Sequence, residues 1–405
     1  MMRRIEEQLV VEIARALHQS GAPSPLVESA VESLIAEHGS EGQALVTPTS
    51  LSIAIDDRTQ VARMAPPSLD LGRLTDAWET INAWVRSDLT AEEALLRLRT
   101  GQPRLAKHWL ALCAAGIAAA AAPLLGGSWV DVVAAAIGGG LVWTVHGWAH
   151  GRGNTSPMAD VVAGAVAAWI GGVAAAWGAS PAIVVLAAVF VLLPGISMVA
   201  ALSEIAAGSW NAGTMRTVGV LAVLARLGGG LSLGHALAPV AAAPVYGPLG
   251  TLAVLPASAL VTLLSMMLMG AWRRDWAAAV VTAVVSAAIS VYWEGTFGLF
   301  IAALWAGVAA WAWSMRTHVP AQSIVIAGIL PLVPGAMGLG GAISLFAGQS
   351  QDVVEVAVKT IASATAVVGG LLAANVMGEA PVPRRDALPQ ENGKKVVFPT
   401  GGVVG

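Results

Sequence analysis

From residue 109 to residue 377 the chain consists of apolar stretches about 20 residues long that carry almost no charge. A helix of that length matches the roughly 30 Å hydrocarbon core of a bilayer. Lipid offers no partner to a free N–H or C=O, so such segments can fold only as helices or as a closed barrel. Runs of about 20 fit helices, because barrel strands need only about half that length. The overall composition, 56% hydrophobic and 12% charged, conceals a split, because most of the charge lies in residues 1–107. The expected fold is therefore a membrane all-α bundle preceded by a small cytoplasmic α+β domain.

The soluble part, 1–107, reads as helices over 5–18, 26–38, 69–85 and 91–98. Residues 44–55 and 59–64 alternate as strands, with Asp56-Asp57 between them. The first helix is interrupted by Glu6, Glu7, Glu12 and Arg15, which makes it amphipathic rather than a signal peptide. Ten spans follow, at about 109–127, 129–148, 158–178, 181–203, 216–237, 248–270, 275–293, 297–315, 320–346 and 353–377. With the soluble domain inside, the inner loops carry Arg152, Arg216, Arg273, Arg274 and Arg316, and the outer loops carry no Lys or Arg. That asymmetry places both termini in the cytoplasm. Tryptophans at span ends and small residues within spans suit interfacial anchoring and close helix packing. The tail, 378–405, rich in Pro, Gly and charge, is expected to be disordered.

Two proline–glycine breaks interrupt these spans, Leu193-Pro194-Gly195 and Val333-Pro334-Gly335, set 140 residues apart. Gly208 and Gly348 repeat the same interval. Proline removes a donor and clashes with the preceding turn, so each pair breaks its helix. The breaks fall in the fourth span of each set of five. An odd number of crossings separates them, so the expected plan is two inverted five-helix repeats, 108–238 and 247–377. Paired broken helices in corresponding positions point to a substrate site between them. Pro194, Gly195, Pro334 and Gly335 are thus substrate-site candidates, with Ser197 and Ser344 placed to bond a substrate hydroxyl. The competing reading is a kink that only shapes packing.

Charges inside the spans are few. Arg226, well into the fifth span, is a candidate for a substrate carboxylate or for pairing with an acid. A proton-coupled carrier needs an acid that titrates, and the candidates are Glu204, on the broken helix, with Asp131 and Asp160. For Asp131 and Asp160 the alternative is an interfacial helix cap. Glu355 and Lys359 read as a local i, i+4 pair. His146 and His150 share a face without a third ligand, so no metal is expected. The single cysteine, Cys113, excludes an internal disulfide and a multi-cysteine metal site. No phosphate loop, nucleophile elbow or zinc motif is present, so no cofactor and no enzymatic activity are expected, and nothing points to nucleic acid.

The sequence resembles the threonine/serine exporter family of bacterial membrane transporters. The resemblance rests on Leu45-Val46-Thr47-Pro48-Thr49-Ser50-Leu51, on Asp57, Thr59 and Arg63, on Asp70-Leu71-Gly72-Arg73-Leu74 and on Glu92-Glu93-Ala94. In the membrane part it rests on 124–131, on Leu192-Leu193-Pro194-Gly195 with Gly208, and on 328–335. Pro66-Pro67 and Ile205 depart from the family pattern. The resemblance implies export of threonine and serine across the bacterial inner membrane, driven by the proton motive force. A membrane-anchored sensor and a passive small-solute channel are the alternatives. Assembly stays open between a single chain and a homo-oligomer.

Overall fold

The computed structural model describes residues 4–64, 67–100, 106–150, 156–238, 243, 245–318, 322–332, 339 and 350–376. Pro334, Gly335, Ser344 and the tail from 378 lie outside the described residues.

The soluble domain combines four helices with a three-stranded antiparallel sheet. The helices are α1 (Arg4–Gln19), α2 (Ser24–Glu37), α3 (Leu71–Val85) and α4 (Ala91–Arg99). The strands β1 (Gly42–Val46), β2 (Ser50–Ile55) and β3 (Arg58–Arg63) lie in the order β1-β2-β3. Residues 44–55 alternate as though one strand, yet the structure divides them. Pro48 cannot donate to a ladder, and the Thr47 hydroxyl accepts the Ser50 N–H at 3.0 Å, closing a turn that leaves the alternation in phase. Asp56, at φ 49°, starts the two-residue turn into β3, and Ile55 pairs with Arg58 across it. Leu9, Ile13, Leu17, Leu34, Ile53 and Trp78 are fully buried where α1, α2, β2 and α3 meet. α4 begins with a reciprocal capping box between Thr90 and Glu93.

The membrane part contains α5 (Lys107–Leu124), α6 (Trp129–His150), α7 (Ser156–Ala175), α8 (Pro181–Ala188), α9 (Gly195–Ala206) and α10 (Trp210–Leu237). It continues with α11 (Val254–Leu268), α12 (Arg273–Tyr292), α13 (Gly295–Thr317), α14 (Gln322–Ile329) and α15 (Ser350–Asn375). Among the described residues, seven helical segments are long and apolar enough to cross a membrane, or eight when the α8–α9 pair, bent by 52°, is taken as one span. Two of the ten expected spans are represented by the shorter apolar helices His108–Leu124 and Gln322–Leu332. The second of these passes from α-helix into a 3₁₀ turn at Leu330–Leu332, beyond which residues 333–338 are outside the described ones.

Glycines decide how closely the helices approach. A Cβ on Gly230 or Gly234 of α10 would strike the backbone of Val161 or Ala165 in α7, and one on Gly164 would strike Leu227. Residue numbers rise together across that contact, so α7 and α10 run parallel. Gly370 of α15 meets the backbone of Phe300 and Leu304 in α13 in the same way, and Gly307 meets Ala374. α13 and α15 are therefore parallel too. The other neighbours also correspond: α5 with α6 and α11 with α12, then α6 with α8 and α12 with α14. The soluble domain sits at the end where α9 finishes and α12 begins. At the opposite end the segment before α11 bonds back to the bundle, Tyr246 N–H to Gly178 O at 3.2 Å and Leu249 N–H to Gly127 O at 3.1 Å.

Candidate functional site

The first broken span is built in three pieces. α8 runs from Pro181, and its last turn tightens into a 3₁₀ turn at Phe190–Leu192. Leu193 is extended (φ −66°, ψ 128°), as a residue before proline must be, and α9 restarts at Gly195. No side chain caps the N-terminus of α9, so its first N–H groups are not consumed by a cap. The second broken span repeats the pattern, with eight-residue α14 followed by a 3₁₀ turn at Leu330–Leu332.

Where the first break meets the 3₁₀ turn of the second half lies a cavity of about 70 Å³. Phe190, Leu193, Gly195 and Ile196 line it from the first half, and Ser265, Met269 and Leu330 from the second. That volume is small, with room for a few waters and for little more unless the walls separate. Ser197 stands in the first turn of α9, half-buried.

A buried acid anchors the start of each broken span. Asp131, at the beginning of α6, accepts from the Ser128 N–H and hydroxyl at 2.7 Å each, and from the Ser180 N–H, just before α8, at 2.6 Å. Asp275, at the beginning of α12, accepts from the Ser323 hydroxyl in α14 at 3.2 Å and from Trp313 Nε1 at 2.9 Å. Both are nearly inaccessible, at 1% and 5% exposure. Asp131 therefore completes a cap and pins α8, and Asp275 does the corresponding work for α14.

Asp160 and Arg226, on the neighbouring helices α7 and α10, form an ion pair at 2.8 Å. His146 Nε2 from α6 reaches the other Asp160 oxygen at 3.2 Å. Asp160 lies one turn inside the start of α7, so Arg226 is placed at that level too. The Arg226 side chain is 33% exposed while its two partners are mostly covered.

Glu204 closes the far end of α9 and is 1% exposed. Arg216 of α10 binds it through two bonds, Nε to Oε2 at 2.9 Å and Nη2 to Oε1 at 2.8 Å. Ser24, the first residue of α2 in the soluble domain, donates its N–H and its hydroxyl to Glu204 Oε1 at 3.2 and 3.3 Å. α2 has no side-chain cap of its own and no acid in its first turn. Glu204 thus supplies the anion that a helix N-terminus favours.

The residues singled out in the sequence fall into separate groups. Pro194, Gly195 and Ser197 belong to the break, Asp160 and Arg226 to one buried pair, Asp131 to a cap and Glu204 to the domain contact. Pattern reading missed Asp275, whose signal was its place at the start of the second span of the second half. It also missed Ser24, for which no local signal exists, because its partner is 180 residues away. Glu355 and Lys359 bond at 2.6 Å on an exposed face. Among the described residues no group of three or more His, Cys, Asp or Glu is arranged to hold a metal ion.

A family described as "Putative threonine/serine exporter" matches residues 8–238, and one described as "Threonine/Serine exporter, ThrE" matches residues 251–377. No curated protein and no solved structure matches the chain.

Proposed function

The chain belongs to the threonine/serine exporter family, and from that premise we propose that it is a secondary active exporter of threonine and serine driven by the proton motive force. Family membership and several membrane-length helices make it a multi-pass membrane protein of an amino-acid exporter family. The observation that carries the mechanism is the repeated local plan: a buried acid pins a short helix, a 3₁₀ turn follows in each half, and one cavity is lined from both turns. This favours ten crossings arranged as two inverted repeats. Parallel α7 and α10 require the bent pair between them to return across the bilayer, and parallel α13 and α15 make the same demand of the α14 segment.

In this reading the uncapped start of α9 receives the substrate carboxylate, with Gly195 allowing close approach and Ser197 near the substrate hydroxyl. Pro334, Gly335 and Ser344, outside the described residues, are the sequence's candidates for the opposite side of the site. Asp160, His146 and Arg226 form the proton-coupling group, because they meet across three helices and charges inside a span mark a proton or substrate path. Asp131 and Glu204 have all of their described bonds committed to structure, which favours Asp160 as the proton carrier. The soluble domain and both termini face the cytoplasm of a bacterial inner membrane, a placement supported by Arg216, Arg274 and Arg316 lying at the domain's end of the bundle.

Radiolabelled threonine flux in proteoliposomes tests this reading. Saturable, uphill movement driven by an imposed pH gradient and abolished by a protonophore is expected, with Asp160→Asn losing the uphill component. Flux that never exceeds equilibration would mean a passive channel.

A further inference from the structure

We infer that the soluble domain is the gate of the transport cavity, carried by the second half of the bundle and released from the first half at the Ser24–Glu204 contact. This rests on the exporter reading, in which the cavity must open toward the domain to admit substrate. Leu69 and Leu71 pack into one apolar cluster with Ile196 and Met269, two residues that line the cavity, so the segment leading into α3 rests on two of its wall residues.

The domain grips the two halves unequally. Toward the second half, Leu71 N–H bonds Met269 O at 2.9 Å, Asp76 accepts from Trp272 Nε1 at 3.2 Å, and Glu79 pairs with Arg274 at 2.9 Å. Asn82 Nδ2 adds a bond to His318 O at 3.0 Å. These span the length of α3 and reach two separate loops. Toward the first half, the hydrogen bonds described converge on one oxygen, Glu204 Oε1, from the N–H and hydroxyl of Ser24.

The contact is also built to separate. When Ser24 leaves, Glu204 keeps its two-bond pair with Arg216, so no bare charge remains and only two hydrogen bonds exchange for water.

The test reads access to the cavity, so it needs no assumption about the solute. In a Cys113→Ser background, Ser265→Cys places a reporter thiol in the cavity wall, where the native side chain is 3% exposed. A membrane-impermeant maleimide is supplied from the domain's side. Ser24→Pro removes both donors yet suits the first position of a helix, and Pro23 before it is already extended at ψ 142°. Labelling is expected to accelerate several-fold in Ser24→Pro and by a smaller factor in Ser24→Ala, which loses only the hydroxyl. Glu79→Gln, which weakens one of several ties to the second half, is expected to label at the parent rate. Unchanged labelling in both Ser24 variants, or equal acceleration by Glu79→Gln, would overturn the proposal. Threonine flux by the parent protein tests the exporter reading separately, so failure of either shows on its own.

Discussion

The carboxylates of this chain acquire their roles from what surrounds them. Glu204 and Arg216 are both buried, with side chains 1% and 10% exposed. Removing one partner of such a pair strands a charge, typically at a cost of about 3–5 kcal/mol. Arg216→Gln should therefore lower the melting temperature of the purified protein sharply, and adding Glu204→Gln should restore much of the loss. A double variant no more stable than the single one would show that the pair is not coupled. Glu28 carries a different signature. Burial pushes its carboxyl above the ordinary carboxylate range, and the nearby Glu32 and Glu204 add to the rise, although its bond from Val46 N–H opposes it. A raised folded value means the folded state holds the proton more tightly, so this stabilisation is complete at low pH and is lost as pH rises through the folded value. Glu28→Gln keeps the acceptor for Val46, and its unfolding midpoint should fall less than the parent's between mildly acid and alkaline pH. Glu93 has the opposite sign. The Thr90 N–H and hydroxyl hold its carboxyl below the usual range, so its contribution is present at neutral pH and is lost on acidification.

Elements in this bundle are set by glycine and proline more than by charge. Gly230 has the backbone of Val161 against it, whereas a Cβ on Gly219 of the same helix meets nothing within 4 Å. Gly230→Ala should force α7 and α10 apart and destabilise by about 1–3 kcal/mol, as overpacking does. Gly219→Ala should melt at or slightly above the parent temperature, because alanine favours helix. Equal melting of the two variants would contradict the close approach. Pro194 governs the bend between α8 and α9. Pro194→Ala should let the helix continue through the break, leaving a folded protein with most of its threonine flux lost. Of these features, Pro194 was legible from the chain alone because proline acts locally. The close approach at Gly230 was not, since its cause is the backbone of another helix.

Across the whole molecule, the two ends of the bundle should differ in access. Glu294 is exposed between α12 and α13 at the end away from the domain, and His318 is exposed at the domain's end. With Cys113→Ser as background, an impermeant thiol reagent should label Glu294→Cys from one face of the membrane and His318→Cys from the other. Labelling of both from one face would refute the crossing of α13. Leu69 and Leu71 share an apolar cluster with Ile196 and Met269, which line the cavity of about 70 Å³. Opening it requires movement of the domain, of the two halves, or of both.

The sequence by itself determined the membrane class, the mixed helix-and-strand N-terminal part and the break at Pro194, because each rests on local physics: apolar length, residue periodicity and the missing proline donor, while its motifs carried the family resemblance. Only the tertiary structure decided what the charges do. Asp131 and Asp160 could each be a cap or a proton carrier as long as their partners were unknown. The structure gives them different partners, Ser128 and Ser180 for Asp131 and Arg226 with His146 for Asp160. Glu204, which the chain presents as an acid on a broken helix, gains its meaning from Ser24 and Arg216, one of them in another domain. A buried charge is defined by the groups that compensate it, and those groups come together only when the chain folds.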